Sequence, residues 1–384
     1  MAQYTTASGP TNTRLIVAAS DTDANLLWAT RMFAPDPFIF FMKNGKRYVV
    51  MNDLELDRAR EQATVDHVLA RSPYVAGLRS QGIRFPTTAH VVSEVFKEFK
   101  IHHARVPWNF PVSLADELRG LGIALTVEPG TFWNQREIKT RTEIRHIRDS
   151  LRAAEAGMEA GIAALRRTKI SGNDYLKLDG TRLTSEILRS VINTTIMERG
   201  FVPSHTIVSS GEQAVDPHNE GSGPIRAHTA IIIDIFPRSQ KSGYFGDMTR
   251  TVVRGQASER LKHAYHAVAE AQKIGFRKIR SRVSAYKLHQ DILNYFRNQG
   301  FETGLRDGRM QGFFHGTGHG LGLDVHEAPF FGLIARNRFR KNQVVTVEPG
   351  LYYSGMGGVR LEDVVLVEKN GCKNLVHFPK FLEI

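Results

Sequence analysis

Four carboxylates between positions 234 and 362 interrupt segments that have no evident reason to carry charge. Asp234 follows Ile231-Ile232-Ile233, Glu348 closes the apolar run Val344 to Val347, and Glu362 stands in Arg360-Leu361-Glu362-Asp363 at the head of another. A carboxylate placed in a buried strand needs compensation. Two carboxylates about 3 Å apart cannot both stay ionised without positive charge between them, and four would be forced well above their usual pKa range. Divalent cations remove that difficulty. With Asp247, and with His319 in the run His315-Gly-Thr-Gly-His319-Gly-Leu-Gly, the set Asp234, Asp247, His319, Glu348 and Glu362 reads as a complete two-metal site.

The spacings fit that reading. Asp234 and Asp247 fall on two arms of a hairpin whose polar connection is Arg238 to Gly243. A turn centred between Gln240 and Lys241 makes them face each other on one side of the sheet, within about 5 Å at Cβ. The alternative, that one aspartate is a turn cap or half of a salt bridge, is hard to sustain for Asp234. His315 and His319 are four apart and share a face in helix or strand, and the glycines at 316, 318, 320 and 322 permit close backbone packing. Taken alone, either histidine also fits a satisfied core position.

One nitrogen residue and four oxygen residues favour paired manganese, cobalt, iron or zinc over structural zinc. The helical His-Glu-x-x-His arrangement of single-zinc proteases is absent. A pair about 3.5 to 4 Å apart lowers the pKa of a shared water from about 15.7 towards ~7, which supplies hydroxide near neutral pH. Hydrolysis is therefore the expected chemistry.

At 384 residues the chain suggests two domains. The opening segment Met1 to Pro10 has neither a basic start nor an apolar run, and no stretch reaches the ~18 apolar residues of a membrane span. The single cysteine, Cys372, excludes intrachain disulfides, and a soluble cytoplasmic protein is expected. The net charge of +12 raises the question of nucleic acid, but the basic residues are dispersed. Their densest runs, Arg141 to Arg152 and Lys273 to Arg282, interleave with helical core positions and read as solvated faces; a third run is Arg336 to Lys341.

Residues 14 to 130 alternate short strand-like and helix-like segments, as in a small α/β domain. Phe38 to Met42 and Arg47 to Met51 flank Asn44-Gly45, a strong hairpin signal because both turn positions need positive φ. Helices are expected at Thr87 to Phe99 and near Leu114 to Leu118, and a strand at Ile123 to Val127. A boundary near 138 precedes Thr140 and Glu143, which have the spacing of a capping box. Ile144, Ile147, Leu151, Ala154, Met158, Ile162 and Leu165 then form one helical stripe. Further helices are expected at Thr184 to Arg199, Ser258 to Ile279 and Ser284 to Asn298. Strands are expected at Thr206 to Ser209, Ala230 to Ile235, Tyr244 to Val253, Val344 to Tyr353 and Gly358 to Glu368. Helices interleaved with an antiparallel sheet make the second domain α+β.

The ordered set Asp234, Asp247, His319, Glu348, Glu362, with His-Gly-Thr-Gly-His-Gly-Leu-Gly-Leu-Asp-Val-His-Glu at 315 to 327 and Thr-Val-Glu-Pro-Gly-Leu-Tyr at 346 to 352, resembles the pita-bread metallopeptidases. Within them it is similar to the Xaa-Pro group, aminopeptidase P and prolidase. The resemblance implies a pita-bread catalytic domain at 139–384 behind a smaller creatinase-type α/β domain at 1–138. It implies two divalent metal ions, manganese first with cobalt or zinc as alternatives, and hydrolysis of the bond before a proline in the second position by a metal-bridged hydroxide. By position, Asp234 would hold one metal, Asp247 and Glu362 would bridge, and His319 with Glu348 would hold the other. Glu348 would also move the proton of the attacking water. His218, His315 and His326 match the family's substrate-binding and catalytic histidines, and Arg360 an arginine near the substrate. A homodimer is implied by analogy.

Two features depart from the pattern. The aspartates are thirteen positions apart, where the family usually has eleven; an even insertion keeps strand parity, so both can still face one way. The segment between Lys169 and Thr184, with Asp179-Gly180-Thr181, has no role legible in the sequence. Two rival functions remain: a creatinase-like amidinohydrolase, which works without metal, and a non-catalytic binding protein. Both predict an eroded ligand set, and all five residues are present. Without the family, His218 also reads as a surface residue, and Arg360 as a partner for Glu362 or Asp363.

Overall fold

A computed structural model describes residues 13–384; the Met1 to Pro10 segment discussed above lies outside them. The chain divides into two compact units between Asn134 and Gln135, slightly before the expected boundary near 138. Among the described residues no helix is long and apolar enough to cross a membrane.

The first unit is built on a six-stranded sheet: β1 (Arg14–Ala18), β2 (Phe38–Lys43), β3 (Lys46–Met51), β4 (His67–Ala70), β5 (His103–Val106) and β6 (Ala124–Val127), in the order β4-β3-β2-β1-β5-β6. Strands β1 to β3 pair antiparallel, whereas β4, β5 and β6 join in parallel. Alternate residues of one strand enter different cores: Leu15 and Val17 one, Ile16 the other. A sheet buried on both faces needs apolar residues at successive positions, which explains why β2 reads Phe-Ile-Phe-Phe. Asn44 and Gly45 turn the hairpin at φ of 51° and 81°, as the sequence predicts.

The second unit opens on the long helix Arg141–Arg167, capped by the reciprocal Thr140 and Glu143 contacts. Helix Ser185–Met197 packs across it at Gly157 and Gly161, where an added Cβ would fall 2.9 Å from Ile196 and 3.0 Å from Ile192. These helices lie beside a three-stranded antiparallel sheet, Ile207–Ser210, Ile231–Ile235 and Met248–Val252. Helices Glu259–Lys278 and Ala285–Asn298 share a core with the sheet of Glu327–Phe331, Gly318–Gly320, Val344–Val347, Asp363–Val367 and Cys372–Asn374. Within one strand Val345 and Val347 enter that core, while Thr346 turns its hydroxyl to Glu348.

The structure breaks the two long strands expected at Val344 to Tyr353 and Gly358 to Glu368. Val344–Val347 pairs with Asp363–Val367, and Gly350–Tyr353 pairs with Gly357–Arg360 in a separate hairpin. Register is preserved across both breaks, since Val347 faces Asp363 and Gly350 faces Arg360. Glu348 and Glu362 thus fall opposite each other where regular pairing stops. Segment 169–182 forms its own three-stranded sheet, turned by Asp179 and Gly180 at φ of 47° and 84°. That is the same turn chemistry as Asn44-Gly45.

Candidate metal centre

Asp234 comes from the central strand of the three-stranded sheet, directly opposite Thr249 rather than opposite Asp247. The facing partner is therefore two residues later than the polar connection suggests, and the turn centre one residue later, between Lys241 and Ser242. The strand arm begins only at Met248, which leaves Asp247 just outside the ladder. Parity survives this slip, and both aspartates line one cavity. The register is carried through to the turn: Arg238 bridges Phe245 and Ser239 N–H donates to the Tyr244 carbonyl, so the chain closes through Gln240 to Gly243, with Gly243 at φ of 77°.

Asp247, His319 and Glu362 offer ligand atoms that all lie within 4.8 Å of one another. His319 Nε2 is 3.2 Å from Glu348 Oε1 and 3.8 Å from Asp247 Oδ2. Its other nitrogen faces the Gly320 carbonyl at 3.1 Å, which leaves Nε2 turned to the Glu348 and Asp247 carboxylates. The glycines around it permit the close approach read from the sequence. An added Cβ on Gly318 would fall 2.3 Å from the Thr346 carbonyl oxygen, and one on Gly320 would fall 2.3 Å from that of Ala328.

Two buried oxygens, Asp234 Oδ1 and Glu362 Oε1, have no hydrogen-bond partner. Their companions are occupied: Arg360 donates to Asp234 Oδ2 at 2.7 Å, and Thr249 donates to Glu362 Oε2 at 2.7 Å. Each carboxylate is thus fixed by one oxygen and unsatisfied at the other. Burial first, and neighbouring carboxylates second, hold the Asp247 and Glu362 carboxyls well above the usual range. Burial also opposes ionisation of Glu348, but the hydrogen bond and charge of His319 outweigh it and bring Glu348 to about 2. His319 has the converse balance. Desolvation lowers it, while Glu348 and Asp247 raise it to about 9. Orphaned oxygens, raised carboxyls and a nitrogen with a backbone-anchored partner fit divalent cations.

The four remaining candidate residues differ in their surroundings. His326 packs edge-on against the His319 ring at 4.3 Å between centroids; burial, then the charge of His319, lowers its pKa. His218 is exposed on the wall of the same cavity, its backbone N–H donating to Asp216. His315 has both nitrogens engaged, Nδ1 with the Gly316 carbonyl at 2.8 Å and Nε2 with the Tyr352 hydroxyl at 2.9 Å. Arg360 is likewise fully engaged, by Asp234, by Tyr352 at 3.0 Å, by the Pro217 carbonyl and by Thr249. Its ion partner is neither Glu362 nor Asp363. Arg250 pairs with Asp363 instead, at 2.8 Å.

Sequence reasoning assigned no role to Tyr352, Thr249, or the buried cations Arg136 and Lys139 that hold Glu327 next to His326. Tyr352 had a signal, since it closes the Glu348-Pro-Gly-Leu-Tyr run. For Arg136 and Lys139 there was none; their partner lies about 190 positions away, at separations of 191 and 188.

Residues 145–369 match the model of metallopeptidase family M24. The chain belongs to this family. It is 35% identical over 171 residues to an Xaa-Pro dipeptidase of Pyrococcus horikoshii, covering 44% of this chain and 46% of that one. With an Xaa-Pro dipeptidase of Pyrococcus furiosus it shares 29% over 242 residues, 62% of this chain and 63% of the relative. The chain thus spans between about half and two thirds of the length of these curated relatives. Among solved structures, an Xaa-Pro dipeptidase from Bacillus anthracis superposes with a TM-score of 0.81 at 21% identity, over 97% of this chain and 95% of the other. An X-Pro aminopeptidase from Thermotoga maritima gives 0.79 at 20%, over 97% and 98%. The M24 chain has the pita-bread fold, with α+β architecture.

Proposed function

We propose that this M24 protein is an exopeptidase that uses two divalent ions to hydrolyse the Xaa-Pro bond at the start of a peptide or in a dipeptide. The observation that carries the reading is the pair of unsatisfied buried oxygens, Asp234 Oδ1 and Glu362 Oε1, beside the Asp247, His319 and Glu362 cluster. Asp234, Asp247, His319, Glu348 and Glu362 would hold the ions, manganese first with cobalt or zinc as alternatives. When bound, they supply hydroxide near neutral pH and polarise the scissile carbonyl.

The chain's own groups divide the remaining work. Glu348, ionised and opposite Glu362, takes the water proton and passes it to the departing prolyl nitrogen. His326, largely neutral and open to the cavity, donates to the carbonyl oxygen as charge develops there. His218 stands on the cavity wall and binds substrate. His315, fixed by Tyr352, positions that wall, and it meets substrate directly by exchanging one partner. The engagement of Arg360 supports a positioning role: it aims Asp234 Oδ1 by occupying Oδ2.

Residues 1–138 are assigned as a creatinase-type N-terminal domain and the assembly as a homodimer on the family resemblance; the location is assigned as the cytoplasm on the single cysteine, Cys372. The test is release of the first residue from Xaa-Pro dipeptides, Xaa-Pro-Xaa tripeptides and proline-free controls. Chelated protein reloaded with manganese, cobalt or zinc is expected to cleave only before proline, and Glu348→Ala to abolish cleavage. Cleavage that survives chelation, or is indifferent to proline, defeats the reading.

A further inference from the structure

The cavity that holds the candidate ligands measures 1280 Å³. Small-molecule sites span about 300 to 1,000 Å³, so a dipeptide leaves much of this one unfilled. One wall is a single short segment. Phe330, Leu333 and Ile334 line the cavity together with Asp234, His319 and Glu348, yet they are 55%, 63% and 94% exposed.

Three large apolar side chains within five positions are not loose surface. Strand Glu327–Phe331 alternates, with Glu327, Pro329 and Phe331 buried and Phe330 turned outward. Phe331 is anchored by the ring of Phe339 at 5.2 Å, and Glu327 by Arg136 and Lys139. The Gly332 carbonyl accepts from Ala335 N–H, which closes a turn, and beyond it the Asn337 carbonyl accepts from Ala285 N–H and Phe339 N–H donates to the Val283 carbonyl. Leu333 and Ile334 therefore project from a turn tied down on both sides. An apolar patch held in water by a rigid frame, on the wall of a reaction cavity, marks a place where a ligand's apolar group is meant to sit.

We infer that Phe330, Leu333 and Ile334 are specificity-determining residues that receive an apolar side chain of the peptide substrate. This rests on the peptidase reading above. The occupant is the substrate because the patch shares its cavity with the candidate metal ligands. A second copy of the chain covering the same patch is an outcome the test separates.

The experiment compares manganese-loaded wild type with the Leu333→Ser, Ile334→Ser double variant. The substrates are Xaa-Pro and Xaa-Pro-Yaa peptides in which Xaa, then Yaa, is Leu, Phe, Ser or Gln. Wild type is expected to favour the apolar residue at one of the two positions. In the double variant the apolar-to-polar ratio of kcat/KM at that position falls about tenfold, carried by KM. The conservative Leu333→Met, Ile334→Val pair keeps the ratio, and Phe330→Ser repeats the loss from the strand side of the turn. A ratio unchanged in the serine variants, or a wild type with no apolar preference at either position, overturns the inference while leaving the peptidase reading intact. Serine variants that change only self-association in sedimentation, with unchanged selectivity, also overturn it. Absence of cleavage by wild type on every peptide defeats the peptidase reading, and the inference with it.

Discussion

Glu362 and Asp363 are neighbours in sequence, the first just before a strand and the second its first residue, are exposed by only 2% and 0%, and sit in opposite electrostatic worlds. Asp363 is met by Arg250, Lys380 and Asn374, so its charge is answered within the fold. Glu362 accepts one hydrogen bond from the Thr249 hydroxyl, has no partner for its second oxygen, and feels the charges of Asp247, Glu348 and Asp234. A buried carboxylate that brings its own cation is part of the architecture; one left without a cation marks where something else belongs. For these two residues the distinction separates a structural ion pair from a candidate site; Asp234, paired to Arg360 through one oxygen and unsatisfied at the other, combines both.

The sharpest way to break the comparison is Glu362→Gln. Removing a charge that nothing in the fold answers is expected to abolish metal-dependent peptidase activity, by three orders of magnitude or more (roughly the ~4 kcal/mol scale of a lost catalytic charge), while the metal-free protein unfolds at the same temperature or a higher one. Metal content by mass spectrometry and thermal unfolding with and without chelator check it; marked destabilisation of the metal-free form contradicts it. Asp363→Asn is expected to do the reverse. It leaves Arg250 buried without its carboxylate and costs about 3–5 kcal/mol of folding stability, measured by chemical denaturation.

The smaller, graded effect is pH. The Asp247 and Glu362 carboxyls and the His319 imidazole are all raised in the folded protein, His319 to about 9. Groups raised on folding favour the metal-free native state at low pH, and that contribution is lost as pH rises through their folded values. Bound cations need the same groups deprotonated. The increase in Tm on metal loading is therefore expected to grow from pH 5.5 to 8, with proton release detectable by calorimetry in buffers of different ionisation enthalpy. A shift independent of pH would place the metal on other residues.

The sequence made Asp234 legible because it follows three isoleucines, and the other ligands legible through their ordered spacing with His319. The Thr140 cap and the Asn44-Gly45 turn were legible for a local reason: three or four residues contain the whole interaction. Register was not. Asp234 faces Thr249 because the hairpin closes between Ser239 and Tyr244, which centres the turn one residue later than the polar connection suggests. The breaks at Glu348 and Glu362 were missed because the segments on both sides of each still read as strand, which hides a change of pairing partner. Arg250 on Asp363, and Arg136 with Lys139 on Glu327, were invisible because their partners lie more than a hundred positions away. The Asp179-Gly180 turn is a different case, since its signal matched that of Asn44-Gly45 and lacked only recognisable flanking strands.

The opposed positions of Glu348 and Glu362 have a consequence for engineering. Both hang from strands whose pairing resumes in the same alignment on either side, so one residue inserted into either strand would rotate a ligand out of the centre. Residues added at the hairpin tip, between Tyr353 and Gly357, would lengthen the path along the chain and leave the two carboxylates where they are. Distance along the chain is slack here, distance in space is taut, and loop grafts belong where the slack is.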